Sequence, residues 1–411
     1  MTRTQSGVDV VIVGGGIGGL SNALALTRAG LDVRVLEQSP RFGEVGAGLQ
    51  IAPNGTRVLR SWGLLDEVIS LGVRPDHLVM RDAVDGTELT RLDLDDAERR
   101  YGAPYLVIHR TDLHATLLRA CEGAGVDLVT NCQVQDVEQD DSGATAVSHT
   151  RADRADVVIA ADGLHSTLRG RLSADEPVSS CFVAYRGAVP IGEVRGLDGI
   201  TTADVVVYIG PKCHFVQYPL RHGEIFNQVA VFESPKAVAG EADWGTPDEL
   251  DAAFAKTCGQ IRSALPHLWR DRWWRMYDRD PIDNWVQGRL ALTGDAAHPP
   301  LQYLAQGAVM AIEDAYSLAE QVTAQGVKGS AGRGTETGID WAEALARYNS
   351  VRQKHTGRVQ TTARWWGDFW HVGGDERHER NTMLRARVVR DYEHIDWLYG
   401  PPVRVPEDVA R

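Results

Sequence analysis

Three glycines and one glutamate near the N-terminus have a spacing that can bind phosphate and sugar groups. Gly14, Gly16 and Gly19 follow a run rich in β-branched residues (8–13) and open a segment with helical periodicity. The first glycine of such a pattern permits a tight turn, the second lets the backbone approach a pyrophosphate, and the third lets helix and strand pack closely. Glu37 ends the next strand-like run, where a carboxylate accepts from ribose hydroxyls and repels a 2′-phosphate. This combination predicts a site for FAD or NAD rather than NADP.

A second acidic residue, Asp295, stands at a strand-to-helix junction far along the chain. It ends the apolar run RLALTGD, and helical periodicity begins near Gly307 and Ala308. Open α/β sheets bind ligands at the carboxyl ends of their strands, so Asp295 can accept from a ribityl hydroxyl while the helix start faces a flavin. Asp162 and Gly163 end another β-type run, although an ordinary Asp-Gly turn would look the same. A flavoprotein needs such distant contacts and an NAD dehydrogenase does not, which favours FAD.

The overall composition limits the classes of protein that carry these residues. The chain has 411 residues and a net charge of −13, which disfavours non-specific binding of nucleic acid. Its apolar runs are too short for a transmembrane segment or a secretory signal, and we expect a cytoplasmic protein. The five cysteines are scattered and form no C-x-x-C pair, so neither a disulfide framework nor a metal site is predicted.

The chain divides into units that would position the candidate residues. We predict an α/β fold with a discontinuous first domain (1–177 and 285–322), a β-rich second domain (178–284) and a C-terminal helical region (340–411). The glycine-rich stretch 323–338 should be an exposed connection. Tryptophans crowd two places in the last third of the chain, where they indicate either core packing or an interface between subunits, and we expect a homodimer.

Three motifs occur in order along the chain: GGGIGG, DGLHSTLR and GDAAH…GAVMAIEDA. Together they resemble the single-component flavoprotein aromatic hydroxylases of the para-hydroxybenzoate hydroxylase type. Further segments, among them HRTDLHATL and YIGPKCHFVQYPL, are most similar to 3-hydroxybenzoate 6-hydroxylases and next to salicylate hydroxylases. The resemblance covers nearly the whole chain. It implies a Rossmann-like FAD-binding domain with an inserted β-rich substrate domain and C-terminal helices, a small aromatic substrate, and NADH and O2 as co-substrates.

The resemblance also implies cofactor roles for individual residues. By this resemblance Glu37 binds the adenosine ribose, and Arg110 contacts the flavin. Asp162 and Gly163 serve the pyrophosphate, and Asp295 binds the ribityl chain. The helix start at Gly307 and Ala308 faces the isoalloxazine.

The third motif departs from the family pattern G-D-A-A-H-x-x-x-P-x-x-G-x-G-x-N. Counting from His298, the family proline falls on Gln302, the first late glycine on Ala305 and the asparagine on Val309. A polar amide therefore replaces a proline ring near the reactive face of the flavin. We interpret Gln302 as a substrate ligand; the alternative is a glutamine in a surface loop.

Hydroxylation of a phenol is faster on the phenolate, so a base near the hydroxyl accelerates the reaction. Histidine titrates near neutral pH, and alternation in CHFVQYP places His214 and Tyr218 on one face of a strand. We expect His214 and Gln302 to hold the phenolic oxygen between them, and Tyr218 to orient the ring. A core histidine is the alternative for His214. Arg186 is a candidate partner for a substrate carboxylate, although a structural role is equally open.

Other classes of function remain alternatives at this point. A flavin oxidase or halogenase would share the cofactor domain, but the W-x-W-x-I-P motif of halogenases is absent and RWWRM is the nearest segment. A protein that binds FAD without turnover would show no NADH consumption stimulated by aromatic compounds, whereas a hydroxylase would.

Overall fold

The computed structural model describes residues 3–43, 48–194, 200–326 and 338–400. The helices in these ranges are α1 (Ile17–Arg28), α2 (Pro53–Ser61), α3 (Leu65–Leu71), α4 (Leu94–Tyr101), α5 (Arg110–Ala124), α6 (Pro235–Val238), α7 (Pro247–Phe254), α8 (Gly259–Ala264), α9 (Gly307–Ala324), α10 (Trp341–His371), α11 (Gly374–Arg385) and α12 (Asp396–Tyr399). The strands are β1 (Arg3–Val13), β2 (Val33–Leu36), β3 (Gly48–Ile51), β4 (His77–Asp82), β5 (Glu88–Asp93), β6 (Leu106–His109), β7 (Asp127–Val129), β8 (Val134–Asp140), β9 (Gly143–Ser148), β10 (Arg151–Ala160), β11 (Val178–Pro190), β12 (Val205–Gly210), β13 (Cys213–Leu220), β14 (Ile225–Glu233), β15 (Trp274–Asp278), β16 (Val286–Gln287) and β17 (Leu290–Leu292).

The first sheet has a parallel core in the order β17-β10-β1-β2-β7. Its central strand β1 is buried on both faces, since Val10, Val11 and Ile12 have no exposed surface, as the continuous β-branched run predicts. Helix α1 packs against α5 and α9 on this sheet. Because the strands are parallel and Val13 pairs with both Ala160 and Leu36, their carboxyl ends lie level at one edge. The α/β fold class is confirmed.

The second sheet has the order β15-β11-β14-β13-β12-β4-β5 and is antiparallel except between β12 and β4. It takes β4 and β5 from residues 77–93, which the sequence placed with the first unit. Their alternating pattern indicates strands, but a pattern does not specify the partner of a strand. One face of the sheet covers an apolar cluster that includes Phe215, Phe232 and Phe254. The opposite face bears His214 and Tyr218 and looks toward the first sheet.

The C-terminal helices close the side of the molecule between the two sheets. Within the predicted C-terminal helical region, Trp341–His371 form a single long helix, α10. The tryptophans of the two crowded places divide between the two interpretations, because Trp285 is buried in the core while Trp365 is 57% exposed. Most of the predicted glycine-rich connection (327–337) and the end of the predicted C-terminal region (401–411) lie outside the described residues.

Three further sequence predictions concern membranes, metals and cysteines. No helix within the described ranges combines the length and apolarity needed to cross a bilayer. The same residues contain no group of three metal-ligating side chains. All five cysteines are free thiols, four of them buried.

Candidate active site

One cavity of about 1430 Å³ lies between the two sheets and the C-terminal helices. It brings together twelve of the thirteen site residues named from the sequence: Gly14, Gly16, Glu37, Arg110, Asp162, Gly163, His214, Tyr218, Asp295, Gln302, Gly307 and Ala308. The exception is Gly19, which lies within α1 and faces the turn before that helix. Residues separated by almost 300 positions therefore share one surface.

The glycine turn is packed too tightly for side chains. Gly14 has φ of +107°, and a Cβ there would lie 2.3 Å from the carbonyl oxygen of Ala161. A Cβ at Gly19 would lie 1.9 Å from the carbonyl oxygen of Gly14. His114 Nε2 donates to the carbonyl oxygen of Gly15 at 2.8 Å and fixes the turn from α5. His114 could not be assigned this role from the sequence, because a histidine in a helix carries no signal of its partner.

The glutamate at the end of β2 is held against this turn. Glu37 Oε2 accepts from the backbone N–H of Gly15 at 2.7 Å, and Oε1 accepts from that of Ser39 at 2.8 Å. A carboxylate has about four acceptor positions, so the two oxygens can still accept from hydroxyl groups of a ligand.

Asp162 follows β10 and is oriented by the turn that it precedes. Its Oδ2 accepts from the backbone N–H groups of Thr167 at 3.1 Å and Leu168 at 3.3 Å. Its Oδ1 is buried and has no partner among the described residues. Burial raises the pKa of this carboxyl above its usual range. A buried carboxylate oxygen without a donor is costly, so the site fits a ligand that supplies one.

The junction after β17 places Asp295 beside the start of α9. Asp295 is exposed to the cavity, and its Oδ1 lies 3.9 Å from the position of a Cβ at Gly307. Asp314, on α9, holds the junction in place. It accepts from the backbone N–H of Gly294 at 3.0 Å and from Arg352 Nε at 2.8 Å. Burial opposes ionisation of Asp314, but His298 and Arg352 outweigh it and hold its pKa below the usual range.

His214 lies at the opposite wall of the cavity and is 1% exposed. Its Nε2 is 3.3 Å from Gln302 Nε2, and its Nδ1 is 2.9 Å from His371 Nε2. Burial, and then His371, lower the pKa of His214 well below its usual value, so the imidazole is neutral. In the amide orientation that the structure shows, Gln302 Nε2 donates to Nε2 of His214, and this orientation places the N–H of His214 at Nδ1. This tautomer offers a basic nitrogen at the surface of the cavity.

Tyr218 lies on the same strand face as His214, as the alternation of residues predicts. Its ring is 3% exposed and packs on the backbone of β3, where a Cβ at Gly48 would lie 2.4 Å from Cε2. Burial raises the pKa of Tyr218, so the phenol stays protonated at neutral pH.

Two residues beside the cavity, Arg186 and His371, could be assigned little or no role from the sequence. Arg186 on β11 stacks over Trp274 at 5.4 Å, and burial lowers its pKa, with Arg110 adding to this effect. Within the described part of the chain Arg186 forms no ion pair with a carboxylate. His371 ends α10 beside His214; the sequence drew attention only to the tryptophans of that segment.

One substituted position of the third motif has a backbone conformation that is typical of glycine. Ala305 has φ of +53°, in the left-handed region that favours the glycine of the family pattern. Val309 is fully buried in the core instead of supplying an amide.

Comparisons with known proteins identify the family and the fold of this chain. The profile of the family described as FAD binding domain matches residues 7–355. The 3-hydroxybenzoate 6-hydroxylase of Polaromonas naphthalenivorans (strain CJ2) is 36% identical over 406 residues, covering 97% of this chain and 98% of that protein. The structure of Klebsiella pneumoniae HpxO with FAD and uric acid has a TM-score of 0.80 at 25% identity, covering 96% of this chain and 97% of that one. A salicylate hydroxylase substrate complex has a TM-score of 0.77 at 25% identity, covering 96% and 95%.

Proposed function

We propose that this chain, which belongs to the FAD binding domain family and is a flavin-dependent aromatic monooxygenase, converts 3-hydroxybenzoate to 2,5-dihydroxybenzoate (gentisate) with NADH and O2. The observation that carries the proposal is the pairing of His214 Nε2 and the Gln302 amide at 3.3 Å in the cavity that also contains the glycine turn. The proposal specifies the substrate and the reductant of an established class of enzyme.

The chain binds FAD, and the cavity provides partners along the length of the cofactor. We assign the adenosine ribose to Glu37, the pyrophosphate to the glycine turn and, through a bridging water that donates to both oxygens, to Asp162, and the ribityl chain to Asp295. Arg110 and the start of α9 at Gly307 would contact the flavin ring. When bound, reduced FAD activates O2 for transfer to an aromatic carbon.

His214 would raise the reactivity of the substrate ring by taking its phenolic proton. The basic Nε2 points into the cavity, and the amide nitrogen of Gln302 can donate to the resulting phenolate oxygen. Because burial keeps His214 neutral, the base is available without prior deprotonation. Water is excluded on this side by the rings of Trp370 and Tyr303, whose centroids lie 5.2 Å and 5.5 Å from that of His214.

A carboxylate on the substrate would bind near Arg186, farther along the sheet face from His214. Arg186 and Val216 are level across the sheet, since both pair with Val229, and Tyr218 is the next residue on that face. A half-buried guanidinium without a carboxylate partner among the described residues favours an anion in contact with it. Binding the carboxylate at Arg186 and the phenol at His214 would fix the ring in one orientation.

The test is NADH oxidation across a panel of hydroxybenzoates, with identification of each product. We expect 3-hydroxybenzoate to stimulate oxidation most strongly and to yield gentisate. Stimulation by other isomers without gentisate formation would contradict the substrate assignment. Stimulation by NADPH equal to that by NADH would contradict the assignment of the reductant.

Salicylate is the second candidate, because the salicylate hydroxylase substrate complex matches 96% of the chain. It predicts catechol from 2-hydroxybenzoate in the same panel. We also propose that the chain forms a homodimer, with the exposed Trp365 near the interface. Sedimentation equilibrium at the monomer mass would contradict that assembly.

A further inference from the structure

His214 and His371 form a hydrogen-bonded pair whose members line two different cavities. Their rings stack with centroids 5.1 Å apart and an interplanar angle of 25°. His214 lines the large cavity, while His371 lines a second cavity of about 250 Å³ together with Asp278, Arg364 and Asp368. The pair therefore forms a continuous polar connection through an otherwise aromatic wall.

The charge balance of the active site requires such a connection. Burial lowers the pKa of His214 well below its usual value, so an imidazolium at this position is strongly unfavourable. A proton taken from a phenol at Nε2 must therefore leave through the other nitrogen. Nδ1 carries the N–H and is 2.9 Å from Nε2 of His371.

We propose that His371 is the second member of a proton relay, which receives the phenolic proton by way of His214 and releases it to water in the second cavity. The inference rests on the proposed function. One proton binds Nε2 of His214, the Nδ1 proton of His214 moves to Nε2 of His371, and the Nδ1 proton of His371 passes to water. Both rings end neutral, no electron is transferred, and the reverse movement after oxygenation restores the tautomers.

The surroundings of His371 direct the proton outward. Phe182 stacks on it at 4.5 Å, which holds its ring parallel to that of His214. Burial, and then Arg380 on α11, lower the pKa of His371 to about 3, so the proton does not rest there. On the exit side, Asp278 is paired with Arg364 at 2.6 Å, and Asp368 lines the second cavity as an acidic group.

The experiment follows proton release in the oxidised holoenzyme, without NADH and without turnover. The probe is 3-hydroxy-4-nitrobenzoate, whose phenolate is coloured, and a rapid pH jump starts its deprotonation in the site. His371→Ala should slow phenolate formation at least tenfold and change the dissociation constant of the probe less than threefold. Imidazole added to the buffer should restore the rate, because the side chain removed opens into the second cavity.

Two variants separate the relay from packing and from the proposed function. Val178→Ala shortens a side chain that lines the second cavity and keeps both imidazoles, so its rate should stay within threefold of the wild type. A wild-type rate in His371→Ala, or a slow rate that imidazole does not restore, overturns the relay. If His214→Ala is slow while His371→Ala is not, His214 is still the base and only the relay fails. Failure of the proposed function appears separately, as absence of gentisate in the substrate panel.

Discussion

Replacing His214 by alanine should abolish most hydroxylation and leave the cofactor in place. The imidazole supplies the basic Nε2 beside Gln302, and it lies on the second sheet, whereas the glycine turn and Asp295 belong to the first. The variant therefore removes the proposed base without touching any residue assigned to FAD.

The expected loss follows from the role of the group and from its burial. A positioned base contributes roughly 10²–10⁴-fold in rate, or about 3 to 5 kcal/mol of transition-state stabilisation. The variant also leaves Nε2 of His371 without its donor, which costs about 1–3 kcal/mol of folding free energy because the group is largely buried. A protein of this size should remain folded with that loss.

The assay is gentisate formation per bound FAD, measured by product chromatography and by the flavin absorbance of the same sample. His267→Ala is the matched control, because His267 is exposed at the end of a short turn away from the cavity. Turnover within threefold of wild type in His214→Ala would refute the base. The wild-type rate should also show no loss assignable to His214 between pH 7.5 and 6, because its pKa is lowered and the ring stays unprotonated there.

Further variants test the site and its support. Gly19→Ala should prevent retention of FAD on purification, because its Cβ would lie 1.9 Å from a carbonyl oxygen of the turn; full flavin content would contradict the tight turn. Asp314→Asn should lower the free energy of unfolding by about 3 kcal/mol, since Arg352 loses one of two buried carboxylates and keeps Glu313. Because the pKa of Asp314 is depressed on folding, the stability linked to its ionisation is present at neutral pH and is lost as pH falls below about 4. Chemical denaturation of the wild type and the variant at several pH values measures both effects. A denaturation midpoint that changes neither with the substitution nor with pH would contradict them. Arg186→Met should raise the dissociation constant for 3-hydroxybenzoate about 10- to 100-fold and leave that for phenol unchanged; equal losses for both ligands would contradict carboxylate binding.

The sequence predicted the first sheet better than the second. The run before Gly14 is apolar at nearly every position, so its burial on both faces of a parallel sheet could be inferred. The edge of the sheet at which Glu37, Asp162 and Asp295 follow their strands could be inferred with it. The pairing of β4 with β12 could not be inferred, because alternation identifies a strand and not its neighbour.

The same limit applies within the candidate site. The position of His214 on the cavity face follows from period-2 alternation along β13. Its partner His371 is 157 residues away, at the end of a helix, and only the packing of α10 against the second sheet brings the two rings together. The left-handed conformation of Ala305 is indicated only by the glycine that the family pattern has at this position, because alanine itself gives no indication of positive φ.

The most direct test is a crystal structure of the holoenzyme with 3-hydroxybenzoate bound. We expect FAD to extend from the glycine turn at Gly14 past Asp295 to the start of α9, with the phenolic oxygen of the ligand within hydrogen-bonding distance of His214 Nε2. A phenolic oxygen directed away from His214 and Gln302 would contradict the proposed chemistry. FAD that does not contact both Gly14 and Asp295 would contradict the cofactor site itself.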